Sequence, residues 1–311
     1  MTILLLETLH HEALALLAAF ADVMLATTPE ALDAAVAAGT IRAILTRGKG
    51  RVSAALLDRC PDVQVVARCG VGLDNIDTAA VAARNVPLIY APGSTTQAAA
   101  EHTLMLMLAL ARRLRPLARA VHAGNWAVRD GYQSQELAER TLGVIGLGAI
   151  GQRVAELGAA LGMHVIYWSR SGRDPRFELR PLDRLLAEAD VVSVHVALAD
   201  DTQHLIGTPE LALLKPGALL INTARGAVID QAALLQALAE NRLGGFAADV
   251  LEREPPAADD PLLHDDRVLL TPHTAALTDR TYREICVRTA ANVLAVLRGE
   301  QPEAAAVFGG Q

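Results

Sequence analysis

Short apolar runs alternate with helix-length segments along almost the whole chain, and this alternation restricts the fold more than any other feature. Near the N-terminus, the runs are separated by alanine- and leucine-rich helical stretches such as Glu12–Ala19 and Pro29–Ala38. Strands that alternate with helices form parallel sheets with helices on both faces, so the pattern predicts an α/β fold. The first series of predicted strands comprises Ile3–Leu6, Ala43–Thr46, Val63–Ala67 and Val86–Tyr90.

A second and more regular series follows, and it has the six strands that are typical of a dinucleotide-binding sheet. Its predicted strands are Thr141–Ile145, His164–Trp168, Val191–Val194, Ala218–Ile221, Gly245–Asp249 and Val268–Leu270. The helices predicted between them are Ala149–Leu161, Leu182–Glu188, Thr208–Leu213 and Gln231–Glu240.

The length of 311 residues exceeds what one hydrophobic core usually serves, so two doubly wound, Rossmann-like domains are expected. Long helical stretches, Gln97–Leu114 and Arg280–Leu297, flank the second series. A chain that ends in a helix after the second sheet can return to the first domain. Such a double crossing predicts a ligand-binding cleft between two domains.

Composition and charge exclude several classes of protein. A net charge of −7 gives nucleic acid no electrostatic attraction. The N-terminal run has no basic flank, and no apolar stretch reaches the roughly 20 residues of a membrane span, so a soluble cytoplasmic protein is expected. Three cysteines without a CxxC pattern predict reduced thiols and no metal site.

A GxGxxG motif lies between the strand Thr141–Ile145 and the helix that follows it, which is the context that dinucleotide binding requires. Gly146 permits a tight turn, Gly148 lets a pyrophosphate approach the backbone, and Gly151 lets helix and strand pack closely. The alternative is a purely structural turn. The amides expected to face the phosphates are those of Gly148, Ala149 and Ile150.

The segment after the next strand lacks the acidic residue that would bind the adenine ribose of NAD. Ser169 and Ser171 offer hydroxyl groups, while Arg170 and Arg173 offer guanidinium groups suited to a phosphate. The first carboxylate is Asp174. The segment therefore predicts a preference for NADP(H), with NAD(H) possible. A basic surface loop without this role is the alternative.

Three polar residues follow three successive strands of the second series, at the carboxyl edge where ligands of open α/β sheets bind. Reduction of a keto acid by hydride transfer needs a cation for the carboxylate and carbonyl, a proton donor, and a group that tunes the donor. Arg225 supplies the cation, and His273 is a natural donor near neutral pH. Glu254 would favour the protonated imidazole. Together they predict a 2-hydroxyacid dehydrogenase site.

The sequence resembles the D-isomer-specific 2-hydroxyacid dehydrogenases over nearly its whole length. The motifs that carry the resemblance are Arg68–Asp77, Ala100–Thr103, Gly146–Gly151, His195–Leu198, Asn222–Gly226, Asp249–Pro256 and Thr271–His273. The resemblance implies one domain of residues 1–92 and 283–311 that binds substrate, and an inserted dinucleotide-binding domain of residues 93–282.

The resemblance also implies roles for individual residues. It makes Arg225 a substrate-binding and activating residue, His273 the general acid/base and Glu254 its partner. The amides of Val71 and Gly72 would bind the substrate carboxylate. Further cofactor contacts are implied at Thr103, His195, Val196, Thr202, Thr223, Ala224, Asp249, His273 and Ala275.

The usual aspartate after the second cofactor strand is Ser169 here, followed by Arg170, as in NADPH-using glyoxylate/hydroxypyruvate reductases. Reduction of glyoxylate to glycolate, or of hydroxypyruvate to D-glycerate, is therefore expected. Arg47, Lys49 and Arg51 are interpreted as a solvated loop; if they bind phosphate instead, an NAD-linked dehydrogenase of an acid such as 3-phosphoglycerate is the alternative. A non-catalytic, corepressor-like NAD(H)-binding protein is a remote third possibility.

The resemblance, together with the apolar helix Gln97–Leu114, predicts a homodimer formed through the cofactor domains. Trp126 and Tyr132 lie in the loop beyond that helix. The alternative is that these residues pack within one subunit.

Overall fold

Two parallel sheets organise the chain in the computed structural model, which describes residues 1–170 and 174–309. The strands in chain order are β1 (Thr2–Leu5), β2 (Asp22–Leu25), β3 (Ile41–Thr46), β4 (Val65–Arg68), β5 (Leu88–Ile89), β6 (Thr141–Ile145), β7 (His164–Trp168), β8 (Glu178–Leu179), β9 (Val191–Val194), β10 (Ala218–Asn222), β11 (Leu243–Ala248) and β12 (Val268–Leu270). The α-helices are α1 (His11–Ala18), α2 (Pro29–Ala38), α3 (Ala54–Arg59), α4 (Thr78–Ala83), α5 (Thr96–Ala111), α6 (Leu114–His122), α7 (Ala149–Ala160), α8 (Leu182–Glu188), α9 (Thr208–Leu213), α10 (Gln231–Ala239) and α11 (Asp279–Leu297). Short 3-10 helices cover Trp126–Gly131, Gly226–Val228, Pro261–Leu263 and Ala304–Ala306.

The first compact unit comprises Met1–Thr95 and Leu277–Gln311. Its five strands are ordered β2-β1-β3-β4-β5, the order of flavodoxin-like folds. Successive residues of β1 enter different cores: Ile3 and Leu5 pack with α11, whereas Leu4 packs on the opposite face. This alternation follows from the two-residue period of a strand and explains why β1 is continuously apolar.

The second unit, Thr96–Ala276, contains the other sheet, ordered β12-β11-β10-β9-β6-β7-β8. Its chain order reverses between β6 and β9, which is the switch point where such sheets bind ligands. Leu219 and Ile221 of β10 pack on one face, and Leu220 packs on the other. The α/β class, the parallel sheets and the two-domain organisation predicted from the sequence are confirmed.

Two short edge strands were not predicted. β2 begins with an aspartate and is only partly buried, and β8 consists of two exposed residues. The second sheet therefore has seven strands among the described residues rather than six. Edge strands bury little side-chain surface, so they lack the continuous apolar run that marks a central strand.

Two further predictions need correction. The predicted helix Gln97–Leu114 is two helices, α5 and α6, because Arg113 adopts a left-handed conformation with φ +49° and ends the helical path. The predicted boundary between residues 282 and 283 would cut α11, whose buried residues pack as one piece in the core of the first unit. The division falls before Leu277 instead, and after Thr95 on the other side.

Candidate active site

The glycine motif forms the turn from β6 into α7. Gly146 has φ +96°, which favours glycine, and a Cβ on Gly151 would lie 2.0 Å from the Gly146 carbonyl oxygen. A Cβ on Gly148, which caps α7, would meet no atom within 4 Å. The space before the first turn of α7, where Ala149 and Ile150 lie, is therefore open and fits the pyrophosphate of a dinucleotide.

The segment after β7 offers no available carboxylate among its described residues. Asp174 is 7% exposed, and its two oxygens accept hydrogen bonds from the backbone and guanidinium of Arg176 at 2.6–3.1 Å. Ser169 is half-buried, and Arg170 forms an exposed ion pair with Asp201. Ser171 and Arg173, two of the predicted cofactor residues, lie outside the described residues.

His273 and Glu254 form a pair after the ends of β12 and β11. Nδ1 of His273 lies 2.8 Å from Oε2 of Glu254, and Oε1 of Glu254 accepts a hydrogen bond from the amide of Leu251 at 3.0 Å. Burial acts to raise the pKa of Glu254, but the hydrogen bonds from His273 and Leu251 outweigh it and hold that pKa below its ordinary value. Glu254 is therefore ionised near neutral pH.

Arg225 follows β10, and its loop is fixed by the buried side chain of Asn222. The Asn222 amide donates to the Arg225 carbonyl at 2.9 Å and its oxygen accepts from the amide of Ala224 at 3.0 Å. The next residue is Gly226, where a Cβ would lie 1.9 Å from the carbonyl carbon of Leu251. Glycine at this position lets the Arg225 loop touch the loop that carries Glu254, so the three predicted catalytic residues extend from contiguous segments.

Asp249 anchors the segment that carries His273. It is 1% exposed, and its carboxylate accepts hydrogen bonds from the Thr271 hydroxyl at 2.6 Å and from the amides of Thr274 and Ala275 at 2.9 and 2.7 Å. Burial acts to raise the pKa of Asp249, but these bonds and His102 lower it below its ordinary value. Asp249 was predicted to contact the cofactor; here its oxygens hold the protein backbone.

His102 was not predicted as a site residue. Its Nε2 lies 2.9 Å from the Thr271 hydroxyl and 3.4 Å from Asp249, and its side chain is 16% exposed. The sequence signal was its place in the motif Ala100–Thr103, but only the folded chain brings α5 to the loop after β12. His102 therefore helps to fix Thr271 and Asp249, which hold the segment that carries His273.

The remaining predicted cofactor residues of this unit divide into two groups. Thr103 is fully buried and its hydroxyl lies 2.8 Å from that of Thr223, while the buried Thr202 hydroxyl donates to the Ala197 carbonyl at 2.7 Å. These threonine hydroxyls bind within the protein. In contrast, His195, Val196 and Ala224 are half-buried at the carboxyl ends of β9 and β10.

His195 lies against the glycine turn, since a Cβ on Gly146 would approach its carbonyl group to 2.8 Å. Its Nε2 lies 2.8 Å from the Ser193 hydroxyl. Burial lowers the pKa of His195 from 6.5 to about 4. The imidazole is therefore neutral at physiological pH.

The predicted carboxylate-binding amides lie in the first unit. Val71 and Gly72 are half-buried in the loop that follows β4. Gly70 shapes this loop: it has φ +152°, and a Cβ there would lie 2.0 Å from the Arg68 guanidinium. Glycine is therefore required immediately before these two amides.

Known proteins resemble this chain over most of its length. The family model for "D-isomer specific 2-hydroxyacid dehydrogenase, NAD binding domain" matches residues 104–275. Glyoxylate reductase of Aeropyrum pernix is 40% identical over 84% of this chain and 81% of its own length. D-3-phosphoglycerate dehydrogenase of Archaeoglobus fulgidus is 37% identical over 83% of this chain, but this covers only 50% of that longer protein.

Solved structures agree over the whole fold. The TT0316 protein of Thermus thermophilus has a TM-score of 0.92 and 33% identity, with 99% of this chain and 100% of that chain covered. A glyoxylate reductase from Paecilomyes thermophila has a TM-score of 0.88 and 28% identity, with 99% and 98% covered.

A doubly wound sheet with an open glycine turn, and with arginine, glutamate and histidine after three neighbouring strands, defines a nicotinamide-dependent dehydrogenase. The chain belongs to the D-isomer specific 2-hydroxyacid dehydrogenase family, whose members are NAD(P)-dependent enzymes. Among the described residues, no helix combines the length and the apolar character needed to cross a membrane.

Replacing Glu254 by glutamine should move the pH profile of keto-acid reduction to lower pH. The substitution keeps the size of the side chain but removes the negative charge that Glu254 places beside His273. Both side chains are partly exposed, at 51% and 39%, so solvent screens the pair and the displacement should be small. Steady-state kcat against pH measures it, and an unchanged profile would contradict the pairing.

Proposed function

We propose that the chain reduces a small, unphosphorylated 2-keto acid of the glyoxylate or hydroxypyruvate type to the D-2-hydroxy acid with NADPH. The observation that carries the proposal is the pairing of His273 with Glu254 at 2.8 Å, beside the loop that carries Arg225. A histidine held by a carboxylate and a nearby guanidinium are the groups that this reduction needs.

In this proposal, each side chain has one task. The bound nicotinamide supplies the hydride. Arg225 binds the substrate carboxylate and polarises the carbonyl group, and the amides of Val71 and Gly72 remain proposed carboxylate ligands. Because Nδ1 of His273 is bound to Glu254, Nε2 is the atom that delivers the proton to the carbonyl oxygen. Glu254 stabilises the imidazolium before the transfer.

The loop after β3 supports an unphosphorylated substrate. Its four backbone amides from Arg47 to Gly50 point at one oxygen of Glu7, at distances of 2.5–3.2 Å. Such a group of amides is an anion-binding nest, and here the chain's own carboxylate fills it. Burial acts to raise the pKa of Glu7, but these four hydrogen bonds hold it below its ordinary value, so Glu7 is charged.

Arg47 is also engaged. Its Nε lies 3.8 Å from the second oxygen of Glu7, and its guanidinium stacks on the ring of Tyr282 at 5.1 Å. A substrate phosphate at this loop would meet an ionised carboxylate already bound to the amides. This favours a glyoxylate reductase over a phosphoglycerate dehydrogenase, although relatives of both names resemble the chain.

Reduction of glyoxylate or hydroxypyruvate should exceed reduction of 3-phosphohydroxypyruvate by at least about tenfold in kcat/KM, because a substrate phosphate at the loop after β3 would meet the charge of Glu7. Glu7→Gln should narrow this ratio, since it removes the charge and keeps the shape. Glu12→Gln is a matched control, because Glu12 lies near Glu7 in sequence but pairs with Arg283. A tenfold advantage of the phosphorylated acid in the unmodified protein would reassign the enzyme.

Two features of the segment after β7 support NADPH. Ser169 stands where an aspartate would repel a 2′-phosphate, and the nearest following carboxylate, Asp174, is bound to Arg176. The guanidinium of Arg170 would attract a phosphate, although it also pairs with Asp201. NAD(H) therefore remains usable, at lower efficiency.

We expect kcat/KM for NADPH to exceed that for NADH by at least about tenfold, since one charge-assisted hydrogen bond to the phosphate contributes roughly 1.5–3 kcal/mol. Ser169→Asp should reduce this ratio through repulsion. Asp201→Asn, which leaves the charge of Arg170 to the phosphate, should increase it. Equal or better efficiency with NADH in the unmodified protein would overturn the cofactor preference.

A homodimer is also proposed. None of the nine residues of α6 is buried. Leu114 and Val121 on this helix are 56% and 45% exposed, and Trp126, just beyond it, is 68% exposed. Exposed apolar side chains such as these support association with a second copy through the cofactor domains.

A further inference from the structure

A second histidine–glutamate pair lies beside the proposed catalytic pair. Nε2 of His204 lies 3.1 Å from Oε1 of Glu252, two residues before Glu254. The side chains are 39% and 38% exposed. In stability alone an exposed pair of this kind contributes little, about 0–1 kcal/mol. Its significance lies in the segments that it joins.

The backbone of His204 is bound to the segment that follows Arg225. Its amide donates to the Ala227 carbonyl at 2.8 Å, and the amide of Ile206 donates to the Val228 carbonyl at 3.1 Å. His204 has φ +50°, a left-handed conformation that is uncommon for residues other than glycine. The left-handed residue therefore lies where the backbone hydrogen bonds between residues 204–206 and residues 227–228 begin.

The side chain of His204 is bound to the other segment, which carries Glu254. The two segments already touch, because the backbone of Gly226 packs against the carbonyl of Leu251 and the amide of Glu252 with no room for a Cβ. One residue therefore connects both segments, through its amide to residue 227 and through its imidazole to residue 252.

We propose that His204 and Glu252 are positioning residues that fix the spacing between Arg225 and the His273–Glu254 pair. The substrate carbonyl must contact Arg225 and His273 simultaneously, so a shift of one segment against the other misplaces it. Misplacement by about 1 Å can cost as much as 10²-fold in rate. This inference rests on the roles given to Arg225, Glu254 and His273 under the proposed function.

A double-mutant cycle tests the contact. The variants are His204→Asn, Glu252→Ala and the double variant, since alanine leaves no acceptor for Nε2 of His204. Asparagine tolerates the left-handed backbone, but its amide ends where Nδ1 of histidine lies and does not reach Glu252. Glu240→Ala is the control, because it breaks a similarly exposed pair with Arg242 at 2.9 Å at the end of α10. The assays are kcat and KM for the keto acid, the Kd of NADPH, Tm, and amide hydrogen exchange.

Each single variant should lower kcat/KM for the keto acid roughly three- to tenfold, with the Kd of NADPH and the Tm nearly unchanged. The double variant should have about the same kcat/KM as the less active single variant, because both substitutions remove the same contact. The control should keep the activity of the unmodified protein. Amide exchange should accelerate in the segments 225–228 and 250–254 in the three variants of the cycle and not in the control.

Unchanged kcat/KM in both single variants, multiplied losses in the double variant, or an equal loss in the control would each overturn the inference. If the unmodified protein reduces no keto acid with either nicotinamide, the proposed function fails. Amide hydrogen exchange still tests the contact between His204 and Glu252 in that case. Unchanged exchange of segments 225–228 and 250–254 in the variants of the cycle would contradict that contact.

Discussion

The geometry of the proposed site depends on the hydrogen bonds that the buried carboxylate of Asp249 accepts. It lies just beyond β11 and binds the Thr271 hydroxyl and two amides of the segment after β12, so it fixes where His273 leaves the sheet. His273 itself has φ +56° and its amide donates to the Asp249 carbonyl at 2.8 Å. Removing one partner of a buried charge commonly costs about 3–5 kcal/mol, which is a large fraction of the total stability of many domains. The imidazole can therefore meet Glu254 without being buried itself.

Backbone amides also bind a carboxylate at Glu7 in the first unit. In both places backbone amides surround a carboxylate and keep it ionised in spite of burial. The consequences differ, however. At Asp249 the amides belong to the segment that carries His273, so the charge positions that side chain. At Glu7 the charge fills a nest of amides that could otherwise receive an anion.

The sequence predicted the three proposed catalytic residues because the carboxyl ends of parallel strands share one edge of a sheet. The pairing of His273 with Glu254 and the contact at Gly226 agree with that prediction. Contacts between distant parts of the chain could not be predicted from the sequence. Arg47, Lys49 and Arg51 were interpreted as a solvated loop, yet the backbone of this loop binds Glu7.

Local signals were also too weak in some places. The edge strands β2 and β8 bury little surface, so no apolar run announced them. The left-handed Arg113 divides a pattern that is typical of one helix. The support of Asp249 by His102 depends on packing of α5, which a sequence motif does not reveal. These features follow from tertiary contacts rather than from local propensity.

Proton donation by His273 is tested most directly by a single turnover of enzyme-bound NADPH with glyoxylate, in the unmodified protein and in His273→Ala. The cofactor is bound before mixing, so the decay of nicotinamide absorbance reports the chemical step. Loss of a positioned proton donor should lower this rate roughly 10²–10⁴-fold, while the Kd of NADPH stays within about twofold. A rate in His273→Ala close to that of the unmodified protein would show that the proton comes from elsewhere, and would contradict the proposed site.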